Sequence, residues 1–183
     1  MTIKDILELT CVYCGKEDLA KRLKQDKIPF ENDEVQKLVG CYDLVTRELS
    51  EEVLPVYATE TLTSPDGVYY FSQFSSVPKQ IVKVTRDGKA VKFSVSFDRV
   101  TTDSDRVEIT YDRLIKKADD FSDVCEYTDT DVSERMLALG VASEYMLISG
   151  LFDQAESYRR RYERAVESVL LKRNKVLKTR RWA

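Results

Sequence analysis

Apolar residues recur at helical spacing toward both ends of the chain and at alternate positions through its middle. Near the start, Ile3, Ile6, Leu7 and Leu9 share one helical face, Thr2 stands where a cap is needed, and Gly15 ends the pattern. Leu19, Ala20 and Leu23 predict a second short helix over KEDLAKRLKQ. A third helix of roughly twenty residues is predicted from Asn32 or Asp33 to the stop at Pro55. Val35, Leu38, Val39, Tyr42, Val45, Leu49 and Val53 hold a helical period along it, so one stripe should be buried.

After Pro55 the period changes to two. VYATETLT and GVYYFSQ are short and rich in β-branched and aromatic residues. In IVKVTRDGKAVKFSVSF, Asp87-Gly88 reads as a two-residue hairpin turn between alternating strands. Val91, Phe93, Val95 and Phe97 should share one face, with Lys92, Ser94 and Ser96 on the other. RVEITYD repeats the alternation through Val107, Ile109 and Tyr111. The expectation is one small antiparallel sheet with one wet face, since no helical crossover separates these strands.

KKADDFSDVCEYTDTD reads as an acidic loop. Asp131 with Glu134 is expected to form a capping box that opens a helix. Val132, Met136, Leu139, Gly140, Ala142, Tyr145, Met146 and Ile148 cover a wide arc of it, which predicts the central helix of the bundle. Ser149-Gly150 breaks that helix, and Asp153 with Glu156 suggests a second capping box. The closing helix should run to about Lys172, with Phe152, Ala155, Tyr162, Val166 and Val169 facing inward. The short break makes the last two helices an antiparallel pair.

The architecture predicted is therefore α+β: a helical bundle built from both chain ends, with an inserted antiparallel β-hairpin or small-sheet module. One domain is expected over residues 1–172, with helices about 2–54 and 131–172 and the β insert about 56–112. Residues 173–183 would form a C-terminal docking arm.

Composition narrows the class. The chain has 183 residues, 43% apolar and 33% charged, as a globular domain requires. The apolar-rich run Met136–Phe152 is too short and too polar to span a bilayer, so no membrane partner is expected. MTIKDILELT lacks a basic start followed by an apolar block, so no secretory signal is read there. Four unevenly spaced cysteines suit a reducing cytosol better than a disulfide scaffold. The net charge of −3 conceals an asymmetry. From Arg159 onward ten Lys and Arg face only Glu163 and Glu167, so that stretch carries +8 and residues 1–158 carry −11. A basic end on an acidic body is suited to dock on something acidic, either protein or nucleic acid.

Candidate chemistry is sparse. Cys11 and Cys14 stand three apart before Gly15, as in half a zinc site, but only the distant Cys41 and Cys125 remain and there is no histidine. Both also fit the helical pattern as small apolar residues. Without histidine the commonest general base at neutral pH is missing. No nucleophile elbow or glycine-rich phosphate loop is present. Asp119, Asp120, Asp123, Glu126, Asp129 and Asp131 lack the spacing of a calcium loop, and are read as a solvated loop leading to a helix cap. No catalytic, cofactor or metal residue is therefore assigned, and an enzyme is not expected. RRRYERAV, residues 159–166, could face nucleic acid, but Glu163 interrupts it and Tyr162 and Val166 belong to the buried stripe. A solvated helix end, with cations near the C-terminal dipole, is the simpler reading.

The segment KVLKTRRWA comes after the last helix without its period. Val176, Leu177 and Trp182 are too few for a core and too apolar for a solubilising tail. Trp and Arg are the residues most enriched at interface hot spots. Val176, Leu177, Lys178, Arg180, Arg181 and Trp182 are therefore the candidate docking residues of an arm that inserts into a partner. The alternative is that Trp182 folds back on its own bundle.

The stretch DVSERMLALGVASEYMLISGLFDQAESYRRRYERAVESVL and the ending LKTRRWA resemble the head–tail connector (adaptor) proteins of tailed bacteriophages. The likeness extends to the long early helix and the β insert, and rests on packing and capping patterns. The resemblance implies a virion protein at the head–tail junction, present in the host cytoplasm during assembly. It implies a ring of about twelve copies below the portal protein, with a tail-side connector or stopper protein beneath. The arm would contact the portal, and genomic DNA would pass through the ring with only transient, non-specific contact. A nucleic-acid-binding module built on the basic C-terminal helix and tail, and a phage enzyme with an unrecognised carboxylate site, are the other classes left open.

Overall fold

A computed structural model describes residues 1–173 of the chain. The fold is α+β, and the chain divides into two compact units: Met1–Thr46 with the stretch from Lys117 onward, and Arg47–Lys116.

The helical unit starts with α1, Ile3–Tyr13. Thr2 caps it through a capping box with Asp5: the Asp5 amide donates to Thr2 Oγ1 at 3.3 Å, and the Thr2 amide to Asp5 Oδ2 at 2.7 Å. Helix α2, Glu17–Lys24, buries Leu19 and Leu23, and α3, Asp33–Glu48, buries the predicted stripe from Val35 to Val45. The predicted long helix is not α-helical to its end. Its last turn, Leu49–Val53, is a π-helix in which the Leu54 amide donates to Leu49 O at 2.7 Å. The stop at Pro55 holds, since proline disfavours the α conformation of the residue before it.

Helix α4, Glu134–Ile148, is the centre of this unit. Every residue from Met136 to Ser143 is buried, so this stretch of the helix is enclosed on all sides. Each fully buried leucine or methionine here contributes about 1.5–3 kcal/mol by leaving water. The cap lies two residues later than expected: Ser133 Oγ accepts from the Met136 amide at 3.2 Å. Thr130 Oγ1 holds the Val132 amide at 3.1 Å, so buried Val132 turns inward before the helix starts. Helix α5 spans Phe152–Arg173. Asp153 lies inside its first turn rather than capping it, because the helix opens on the Leu151 carbonyl, which accepts from the Ala155 amide at 2.9 Å. Ala155, Val166 and Val169 face inward as predicted, whereas Phe152 is exposed. Ser143 Oγ donates to Ala155 O at 3.0 Å and fixes the antiparallel register of α4 and α5.

The β unit holds two sheets where one was expected. Strands β1 (Tyr57–Thr63), β7 (Arg106–Arg113), β3 (Pro78–Arg86) and β4 (Lys89–Ala90) pair in that order. Strands β2 (Val68–Tyr70), β6 (Arg99–Thr102) and β5 (Phe93–Val95) form the second sheet. All pairings are antiparallel, and β7 is flanked on both sides. Asp87 and Gly88, with φ of 50° and 77°, form the hairpin turn as predicted. The returning arm then leaves its partner after only two residues and joins the second sheet. One core joins the sheets, with Tyr69 and Val100 from one meeting Ile81, Val84, Val107, Ile109 and Tyr111 from the other. Phe74 packs edge-on against Tyr111, with ring centroids 4.9 Å apart.

Candidate docking surfaces

The docking residues named from sequence, Val176, Leu177, Lys178, Arg180, Arg181 and Trp182, lie outside the described residues. What the structure does place is the helix that leads to them and the surfaces around it.

The arginine run of α5 is engaged within the helical unit. Arg159 Nε bonds Glu163 at 3.1 Å and Arg160 Nε bonds Glu156 at 2.9 Å, each one turn away. The Arg161 guanidinium lies over the rings of Tyr13 and Tyr158, 5.8 Å and 5.6 Å from their centroids. The Tyr158 hydroxyl in turn donates to the Tyr13 carbonyl at 2.5 Å, which ties α5 to the end of α1. The run is solvent-facing, as read from the sequence, but it is not a helix end: Arg159–Arg161 lie in the first half of α5, away from a C-terminal dipole, and ion pairs and ring contacts engage them instead.

The acidic loop has an architectural use that its sequence did not show. The Ile3 amide donates to Asp123 O at 3.0 Å, the Lys4 amide to Phe121 O at 3.2 Å, and the Cys125 amide to Met1 O at 3.2 Å. Asp123 Oδ2 gathers the Asp119 and Asp120 amides at 2.9 Å each, and Asp120 Oδ1 accepts from Ser122. The bonds from the Ser122 hydroxyl and amide hold the Asp120 carboxyl below the usual carboxylate range. The loop is thus organised by its own carboxylates. Among the described residues no group of three or more Asp, Glu, Cys or His is placed to hold a metal ion.

The cysteines sit as packing residues. Cys11, Cys41 and Cys125 are buried, and Cys14 is half-buried. Burial pushes Cys11 up to about 12 and both Cys14 and Cys41 up to about 11, so all three are thiols at neutral pH. Alkylation by iodoacetamide at pH 8 should therefore run ~100-fold slower in the folded protein than in urea. Rapid modification of Cys11 or Cys14 in the native state would contradict this placement.

Two apolar surfaces were missed in the sequence. At the turn between α4 and α5, Leu147, Ile148, Leu151 and Phe152 are all exposed. In the β unit, Phe93 and Val95 on edge strand β5 are partly exposed, and Phe97 beyond it is fully exposed at 101%. Alternation shows which side chains share a face, but not whether another layer covers that face. Ile148 was expected on the apolar arc of the central helix and Phe97 on one sheet face with Val91; Ile148 is instead the exposed last residue of α4, and Phe97 lies two residues past the end of β5. A further feature is a groove of about 490 Å³ between α1 and α2. Leu9, Val12 and Ala20 line it, with Asp5, Glu8, Glu17 and Glu134 among the charged residues at its walls.

No protein-family model matches the chain, and neither does any curated protein. Among the described residues no helix is long and apolar enough to cross a membrane.

Proposed function

We propose that the protein is a structural component of a tailed-phage virion: a head–tail connector whose copies form a ring below the portal, with DNA passing through it. The observation that carries this reading is a division of labour among cations. Arg159, Arg160 and Arg161 of α5 are held by partners within the helical unit. Lys175, Lys178, Arg180 and Arg181 follow Arg173 in sequence, in a segment that also contains Val176, Leu177 and Trp182. Such a segment combines hot-spot residue types with charge suited to an acidic partner. The exposed side chains at the α4–α5 turn and around β5 suit contacts with neighbouring copies or a tail-side protein. The −11 carried by residues 1–158 suits a channel wall, because like charge keeps a passing duplex from sticking. The site of action would be the head–tail junction of the virion, reached from the host cytoplasm during assembly. The nucleic-acid alternative draws less support from α5, since three of its arginines, Arg159, Arg160 and Arg161, already have partners within the helical unit.

Electron microscopy of the protein mixed with its own portal tests the proposal. The expected result is a closed ring of added density below the portal. A portal that stays bare in excess protein would overturn it.

A further inference from the structure

The groove between α1 and α2 has an apolar floor and an acidic wall that the helical unit leaves open. Val12 is 54% exposed there. Glu8, Glu17 and Glu134 make no hydrogen bond or close ion pair among the described residues. Glu8 is also partly desolvated, which raises its carboxyl above the usual range. Lys21 and Lys24 line the groove beside these acids and Lys4 lies near Glu8, but Lys4 is paired with Asp26 at 2.7 Å and Lys21 lies 3.9 Å from Asp18. A partly dehydrated carboxylate above exposed apolar side chains suits a ligand that brings an apolar side chain and cations together.

The chain itself contains such a ligand. Residues 174–183 carry Lys175, Lys178, Arg180 and Arg181, with Val176, Leu177 and Trp182 between and beside them. The topology delivers the segment to the correct end of the unit. Helix α5 runs antiparallel to α4 and, at 22 residues against 15, passes Glu134 and extends beyond the start of α4, at the end of the unit where Glu134 meets the groove. Ten residues can span up to ~33 Å when extended, enough to cross the width of two helices.

We propose that the α1–α2 groove is a docking site for the chain's own residues 174–183 before assembly, with Trp182 on the Leu9, Val12 and Ala20 floor and the arginines against Glu8 and Glu134. This deepens the docking-arm reading and rests on it only for the arm's later destination. A tethered segment has an effective concentration in the millimolar range, so weak contacts suffice to fill the groove. The portal then competes with the groove for the same side chains, and the arm is kept from other acidic surfaces until the portal is met.

Trp182 is the only tryptophan, so its fluorescence in the full chain reports on the site alone. Acrylamide, a neutral quencher, is insensitive to the charge changes used. Trp182 should emit to the blue of its position in the urea-unfolded chain and be protected from acrylamide at every protein concentration. Glu8→Lys with Glu134→Lys should raise the quenching constant several-fold, as should Val12→Asp, with helical circular dichroism unchanged. Salt should act in the same direction. The proposal is overturned if native Trp182 quenches like the unfolded chain, or if protection survives both groove variants. It is equally overturned if protection appears only at high protein concentration, which would make a second copy the occupant. No portal enters the measurement, so its failure is separable from failure of the connector reading.

Discussion

Removing residues 174–183 is expected to abolish attachment to the portal while leaving the fold almost unchanged. Among the described residues the last side chains of α5 buried in the helical unit are Val166 and Val169, about one turn before Arg173. Within the arm, Trp182→Ala should do most of the damage, on the order of 2 kcal/mol or more in portal binding if the indole fills a desolvated pocket, roughly a 30-fold loss of affinity. Arg180→Ala and Arg181→Ala should matter less, and less still at high salt, if they meet carboxylates at a solvated rim. Thermal melting measured beside portal binding for Trp182→Ala discriminates between the two readings of the arm. Unchanged melting with lost binding places the indole in the interface. A fall of many degrees would instead assign it to the chain's own core and remove the main support for the docking arm.

Gly67→Ala should be the most damaging small substitution in the β unit. Gly67 has a φ of +67°, and its amide donates to Ser64 O while its carbonyl accepts from the Thr102 amide. A Cβ there would sit 2.2 Å from the Thr102 carbonyl oxygen, a backbone atom that cannot swing aside as a side chain could. Gly88 is the control. Its φ of +77° is similar, but nothing lies within 4 Å of its would-be Cβ. Left-handed strain alone, about 1–2 kcal/mol, is therefore expected for Gly88→Ala. Gly67→Ala should add an overpacking penalty of about 1–3 kcal/mol. Urea denaturation of the two variants measures the difference; equal losses would mean that Thr102 does not press on this turn.

Much of this architecture is legible in the sequence because its signals are local. The Thr2 cap, the stripe from Val35 to Val45, and Asp87-Gly88 each act within a few residues, and each is found where the pattern placed it. The misses involve competition over longer range. Asp131 and Ser133 are both good caps, and burial of Val132 decided between them. The strand after Gly88 alternates as a single arm would, yet the chain changes sheets after Ala90, which depends on the partner strand β6. Phe97 keeps the same alternation as Val91 and is nonetheless fully exposed. The acidic loop looked like solvated surface because its partner, the stretch Met1–Lys4, is remote in sequence. The groove between α1 and α2 was hidden for a related reason: Val12 falls off the apolar stripe, and an exposed valine carries no signal until the neighbouring helix is placed beside it.

The clasp between the first residues and the acidic loop bears on how the protein is made. The Met1 carbonyl accepts from the Thr128 hydroxyl, 127 residues later in the chain. At ~5–20 residues per second, the ribosome needs roughly 6 to 25 s to deliver that partner. During this interval α1 can form as a capped helix, but neither its loop clasp nor the enclosing helix α4 has yet been synthesised. The β unit, whose strands all lie between Tyr57 and Arg113, can complete its pairings first. The ends of the helical unit are therefore joined last, after the inserted unit has already left the ribosome.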